Sequence, residues 1–214
     1  MQTMVEALVH QLDPLLRRAH GVREFTDDPR CLLRVAIGAC PRDLVLCDGT
    51  QLRRGEPILE LHLWNERIPR MPPEGPDLAW GLQFYRQAIA SLRLIAQWME
   101  SHPEARKARA LRGETSLIDP MRGLIRDLGF EVFRVERGAS GWRWLRYRMD
   151  DLYVWMLMQA YNPASLRGKR LHQLERVEFW ISRERFLERY GNARSLRGEA
   201  RISPPPPEGT QAAS

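Results

Sequence analysis

From Pro57 to Arg67 the sequence reads PILELHLWNER, and its alternate positions Glu60, His62, Trp64 and Glu66 are the residues best spaced to do chemistry together. In an extended strand, side chains two apart share a face, so two carboxylates, an imidazole and an indole would stand in one row. An imidazole flanked by carboxylates can serve as a general base with a raised pKa or contribute to a metal site. Metal sites draw on three or more convergent ligands and only one histidine is local, so neither a metal nor another cofactor is expected. The row also has a simpler structural explanation, because alternation alone places polar residues on the solvated face of an antiparallel sheet. Towards the C-terminus Arg176, Glu178 and Trp180 alternate with Val177, Phe179 and Ile181, and Arg176 and Glu178 could join the same patch. The candidate ligand-binding set is therefore Glu60, His62, Trp64, Glu66, Arg176 and Glu178. Asn65 falls on the leucine side of the strand, where it would end the strand or pin a turn.

A second stretch mixes rings with cations: Trp142, Trp144, Tyr147, Trp155 and Tyr161 interleave with Arg143, Arg146 and Arg148. This mixture stacks on bases or sugars and pairs with phosphates, and it also suits a helix lying on an anionic membrane surface, although Asp150-Asp151 opposes that. The plainer reading is a helix whose core stripe is Leu145, Met149, Leu152 and Met156. The sequence contains no GxSxG, HExxH, GxGxxG or phosphate-cradling loop. Cys47 is a nucleophile only on paper, since it falls in an expected strand.

These residues need elements to position them. Met4, Leu8, Leu12, Leu15 and Leu16 give an N-terminal amphipathic helix closed by Gly21. Leu33–Ile37 and Leu44–Cys47 alternate as two strands joined by a tight turn, and Asp48-Gly49 and Gly55-Glu56-Pro57 are turns before the Leu59, Leu61, Leu63 strand. Pro69–Pro76 leads to Asp77, an N-cap for a long helix with the stripe Leu78, Leu82, Tyr85, Ile89, Leu92 and Met99. A strand at 110–117, a helix at 119–128 closed by Gly129, a strand at 130–135, the helix at 141–161, a strand at 174–182 and a helix from Ser182 to Gly191 follow. The order defines an α+β fold: one domain with a mixed, mainly antiparallel sheet and helices packed on one face. Residues 1–22 form a capping helix, 31–191 the domain, and 192–214, with four consecutive prolines, a disordered tail.

Taken as a whole, the 214 residues carry a net charge of +6, which invites a polyanion partner. Only Lys107 and Lys169 are lysines, however, and abundant Arg, Ala, Gly and Pro read as the codon usage of a GC-rich genome, so nucleic acid is not the favoured partner. Cys31, Cys40 and Cys47 form no CxxC pair and suit free thiols in a reducing compartment. With no signal-like N-terminus and a longest apolar run of seven residues, Leu152–Met158, against the roughly 20 of a spanning helix, a cytoplasmic protein without a transmembrane segment is expected.

Leu46–Ile68, together with Gly129-Phe130-Glu131-Val132 and Ile181-Ser182-Arg183-Glu184 through Tyr190-Gly191, resembles the YkoP-like domain family. The resemblance spans roughly Cys31 to Gly191, and its most specific element is the LHLxNE core, Leu61 to Glu66. It implies a bacterial protein of a family found alone or joined to polysaccharide deacetylases, hence a link with envelope polysaccharide. It transfers no catalytic role, and the paired His-rich metal motif of those deacetylases is absent. The leading expectation is an accessory or binding domain whose polar strand face takes an anionic or glycan-type ligand, with peripheral membrane contact through the 141–161 helix as a further partner. The alternatives are a small hydrolase or transferase using His62 with Glu60 or Glu66, and a basic nucleic-acid-binding protein.

Overall fold

The computed structural model describes residues 14, 17–117, 120–134, 142–166 and 175–191; most of the expected N-terminal helix and the whole 192–214 tail lie outside them. Strand alternation builds β1 (Leu33–Ala39), β4 (Pro57–Leu63), β5 (Ala110–Leu117), β6 (Glu131–Arg134) and β7 (Glu175–Ser182) into one sheet of order β1-β4-β5-β7-β6, while β2 (Leu44–Val45) and β3 (Gln51–Leu52) form a separate ribbon. All neighbours in the large sheet are antiparallel except β4 and β5, which run parallel. A parallel pair needs a long crossover, and α1 (Leu78–Ser101) supplies it. Asp77 caps α1 by accepting from Trp80 N–H at 2.7 Å, as its type and position predict. The remaining helices are α2 (Pro120–Asp127), α3 (Trp142–Tyr161) and α4 (Arg183–Tyr190).

The leucine face of the sheet builds the main core. Val35, Leu59, Leu61, Leu111, Val177 and Ile181 bury against Leu92, Ile95, Ala96 and Met99 of α1, Ile125 of α2, and Phe186 and Tyr190 of α4. At the opposite face, one end of the sheet carries a second small core, in which the β2–β3 ribbon covers Ile58, Ala110 and Trp180 with Leu46, Leu52 and Cys40. Trp180 therefore has the parity of the polar face yet is fully buried. Most of the rest of that face, in the middle of the sheet, carries the charged residues Arg34, Glu60, Arg112, Glu114, Arg176 and Glu178.

Several expectations are corrected. The first two expected strands do not pair with each other: β1 pairs along all seven residues with β4, and Leu44–Val45 turns at Asp48-Gly49 to pair with Gln51–Leu52. A seven-residue partner offers a longer ladder than a two-residue one. Cys47 lies in the turn after β2, exposed, and its N–H donates to both Glu131 carboxylate oxygens at 2.9 Å. On α1, Leu78 and Leu82 of the expected stripe are exposed, and Phe84 is the first residue of the helix to be buried. On α3, Met149 and Leu152 are exposed and Asp151 is buried, its carboxylate 3.4 Å from Arg176 on β7. With Asp151 turned inward to this ion pair, Met149 and Leu152 of the expected core stripe face solvent and Met156 is half-buried. Among the described residues no helix is long and apolar enough to cross a membrane.

Candidate functional site

The pairing register brings the alternating polar residues of four strands side by side: Arg34 opposite His62, Glu60 beside Arg112, and Glu114 opposite Glu178. Arg112 stands at the centre. Its guanidinium reaches Glu60 at 3.2 Å, Glu114 at 2.6 Å and Glu178 at 2.9 Å. Glu178, almost fully buried, also takes Arg42 at 2.7 Å and the Trp180 indole N–H at 3.2 Å. Burial alone would raise the Glu178 pKa, but the hydrogen bonds and charges of Arg42 and Arg112 hold it below its ordinary value. Arg176 bridges Glu114 at 3.0 Å and Asp151. Gly38 of β1 leaves room for this arrangement, since a Cβ there would lie 2.9 Å from the Glu60 side chain.

The lattice joins Glu60, Arg176 and Glu178 of the predicted set. His62 sits at its rim, with Nε2 3.8 Å from Glu60 and without a hydrogen-bond partner. Burial lowers its pKa despite the nearby Glu60, so the ring is neutral at neutral pH. Glu66, the other expected orienter of His62, is instead held by Arg34 at 3.1 Å, and Arg34 also holds Glu24 at 3.1 Å. Trp64 is buried between two guanidiniums, Arg67 at 3.3 Å and Arg34 at 4.4 Å from its ring centre. The face thus places five guanidiniums (Arg17, Arg34, Arg42, Arg112, Arg176) among six carboxylates (Glu24, Glu60, Glu66, Glu114, Asp151, Glu178), a net of −1. Such a lattice fastens strands together and leaves its arginines committed. Among the described residues no three His, Cys, Asp or Glu side chains converge on a metal position.

Past the end of β4 lies a different environment. The chain makes a short 3-10 turn, Asn65–Arg67, then runs through Pro69–Pro73 alongside the C-terminal end of α3. Asn162, which follows α3, accepts from Met71 N–H through Oδ1 at 2.9 Å, and Trp80 of α1 donates to Pro69 O at 2.9 Å, so both sides of this loop are pinned. Between the segments a pocket of about 680 Å3 opens, lined by Asn65, Glu66, Arg70, Met71, Tyr161 and Asn162 with flanking prolines. That volume lies within the roughly 300–1,000 Å3 typical of small-molecule sites. The Asn65 carboxamide has no hydrogen-bond partner among the described residues. Because Asn162 Oδ1 is occupied, its NH2 donors remain. Of the predicted set only Glu66 reaches this pocket. Arg70 and Asn162 escape sequence reasoning, Asn65 reads there as a strand end or turn and Tyr161 only as one ring of the aromatic helix, and the one signal for the pocket is Tyr-Asn-Pro at a helix end.

These features define the class as a single α+β domain with a salt-bridged sheet face and a polar pocket at the end of β4. The profile of the YkoP domain matches residues 2–190, and the chain belongs to the YkoP domain family. It is similar to a Bacillus subtilis (strain 168) protein described as "Uncharacterized protein YkoP", with 23% identity over 192 residues that cover 89% of this chain and 98% of that one. No solved structure matches.

Proposed function

We propose that this YkoP-family domain is a binding module for a hydroxyl-rich ligand of saccharide type, seated in the pocket at the end of β4. The observation that carries the reading is the pocket's donor and acceptor set: the unengaged Asn65 carboxamide, the NH2 of Asn162, the Arg34-paired Glu66 carboxylate, and Arg70 and Tyr161 in the same lining. Sugars offer vicinal hydroxyls that pair with amides and carboxylates, and a C–H face that packs on a ring. The lattice on the sheet face suits an anionic ligand less well, because an anion there would have to displace carboxylates from Arg112 and Arg176. The resemblance to a family linked with envelope polysaccharide points the same way.

The test is titration calorimetry of the purified chain against neutral, amino and acidic oligosaccharides, with Asn65→Ala and Arg70→Ala as variants. Loss of one pocket hydrogen bond should weaken binding about tenfold, corresponding to about 1.4 kcal/mol. Silence of the parent across the panel, or undiminished binding by Asn65→Ala, would refute the proposal.

A further inference from the structure

We infer that the end of the sheet where β4 and β5 begin and β7 ends is a docking surface for an anionic phospholipid bilayer. Three backbone segments meet there side by side: Arg109 N–H donates to Pro57 O at 2.8 Å, and Arg183 N–H donates to Arg109 O at 3.0 Å. Arg53 and Arg54 occupy the turn entering β4, and Arg106 and Lys107 the 3-10 turn entering β5. Arg53, Arg54, Lys107 and Arg109 are exposed. Unlike the guanidiniums of the sheet face, held by carboxylates at 2.6–3.4 Å, these four and Arg183 have no carboxylate partner among the described residues.

The acids on the same segments do not cancel them. Asp43 and Glu56 accept from the backbone N–H groups of Arg54 and Arg53, at 2.7 and 2.9 Å. Glu184 follows Arg183. Glu104 precedes the Ala105–Lys107 turn and pairs with Arg23 at 3.6 Å, and Asp48 accepts from the Ser182 hydroxyl at the end of β7. Six cations, counting Arg106, against these five carboxylates still leave the edge net positive, at +1, and its acids, unlike those of the sheet face, are not paired with its basic side chains. Segregation of unpaired cations from a neutralised lattice leaves them available to an external anion.

The choice of a bilayer over nucleic acid rests on what accompanies the charge. Single-stranded nucleic acid binds where rings stand out for bases to stack on, and the exposed large hydrophobic side chains of the described residues are aliphatic or thioether. One of them, Val45, is 61% exposed on the β2–β3 ribbon, where it pairs with Gln51, two residues before Arg53. An aliphatic side chain beside arginines suits the headgroup boundary. This edge lies at the opposite end of β7 from Arg176, the residue that α3 engages, so it is separate from the aromatic helix.

Co-sedimentation of the full chain with vesicles tests the inference. Vesicles of phosphatidylcholine should leave it in solution, and vesicles containing about one-third phosphatidylglycerol should retain it at low ionic strength. Neutralising Arg53, Arg54 and Arg109 together with Gln should lower the partition on the order of 100-fold, given about fivefold per basic residue at the surface. Arg86→Gln with Arg93→Gln, which removes exposed arginines of α1, should change it only a few-fold. Lys107→Gln with Arg109→Gln provides a second edge variant, and thermal melts verify folding. Absence of binding to anionic vesicles, an equal loss in the α1 variant, or tighter binding to single-stranded nucleic acid that depends on the same edge residues would overturn it.

Discussion

Replacing Arg112 by methionine should unfold the sheet face from its centre. The substitution keeps most of the side-chain volume and removes the cation shared by Glu60, Glu114 and Glu178. Glu60 and Glu114 are about a third exposed, so solvent screens their loss to tenths of a kcal/mol each. Glu178 is different, with its side chain only 6% exposed. Removing one partner of a buried pair costs roughly 3–5 kcal/mol. Glu178 retains Arg42 and the Trp180 N–H, which puts the expectation at the lower end, about 3 kcal/mol, or a fall in Tm of about 6–12 °C. Urea denaturation of the parent, Arg112→Met, Glu178→Gln and the double variant measures this as a cycle. Once the carboxylate is neutral, the missing arginine should matter less, so the double variant should be more stable than the two single losses predict, by more than about 1 kcal/mol. Arg112→Lys should recover only part, because an ammonium cannot fork between carboxylates on three strands. Additive losses, or a loss below about 1 kcal/mol for Arg112→Met, would refute the view that Glu178 depends on Arg112.

Gly113→Ala should destabilise by about 2–3 kcal/mol through overpacking, because a Cβ at that position would lie 2.0 Å from Cζ of Phe179; Phe179→Leu in the same background should restore part of the loss, as read by thermal melts. Stability should fall as pH drops below about 6.5, since burial lowers the folded pKa of His62 and the unfolded chain takes up the proton first. Urea midpoints at pH 7.5 and 5.5 should show this decline in the parent and less of it in His62→Gln, and equal slopes would count against it. Glu178, held below its ordinary value, adds a further loss at lower pH, because its stabilising charge is fully present above the unfolded value and disappears as pH falls through the folded one.

Local signals located most elements of this fold. Asp77 and Ser182 are caps whose side chains bond the N–H three residues on, and the alternation in Glu175–Ser182 is a property of that strand alone. What escaped reading depends on distant partners. The inward turn of Asp151 is dictated by Arg176, 25 residues away, and no hydrophobic period within α3 encodes it. Trp180 has the parity of a polar position, and only the β2–β3 ribbon folded over it makes it core. The row Glu60, His62, Trp64, Glu66 shows the same division. Its parity was legible, but its chemistry was not, because Arg34 comes from β1 and Arg112 from β5. The pocket needed Asn65 and Asn162 to meet across nearly a hundred positions.

The residues that carry the family resemblance prove to be largely fastenings. Asp48 accepts from the Ser182 hydroxyl at 2.5 Å and from Thr50 N–H at 2.9 Å, so the DG turn is tied to the cap of α4. Glu131 holds Cys47 N–H, and the Tyr190 hydroxyl donates to Leu128 O at 2.7 Å beside Gly129. Within the LHLxNE core, Leu61 is buried in the main core and Glu66 pairs with Arg34. Each of these side chains is accounted for by the fold, and a substitution there would register first as lost stability. Two residues of the LHLxNE core differ: His62 Nε2 has no hydrogen-bond partner, and the Asn65 carboxamide joins no hydrogen bond among the described residues while it lines the pocket. The carboxamide is not among the buried polar atoms left without a partner, so water satisfies it in the free domain and a ligand can take the place of that water. Asn65→Ala should therefore leave the melting temperature nearly unchanged while weakening ligand, which separates it from Leu61 and Glu66 of the same motif.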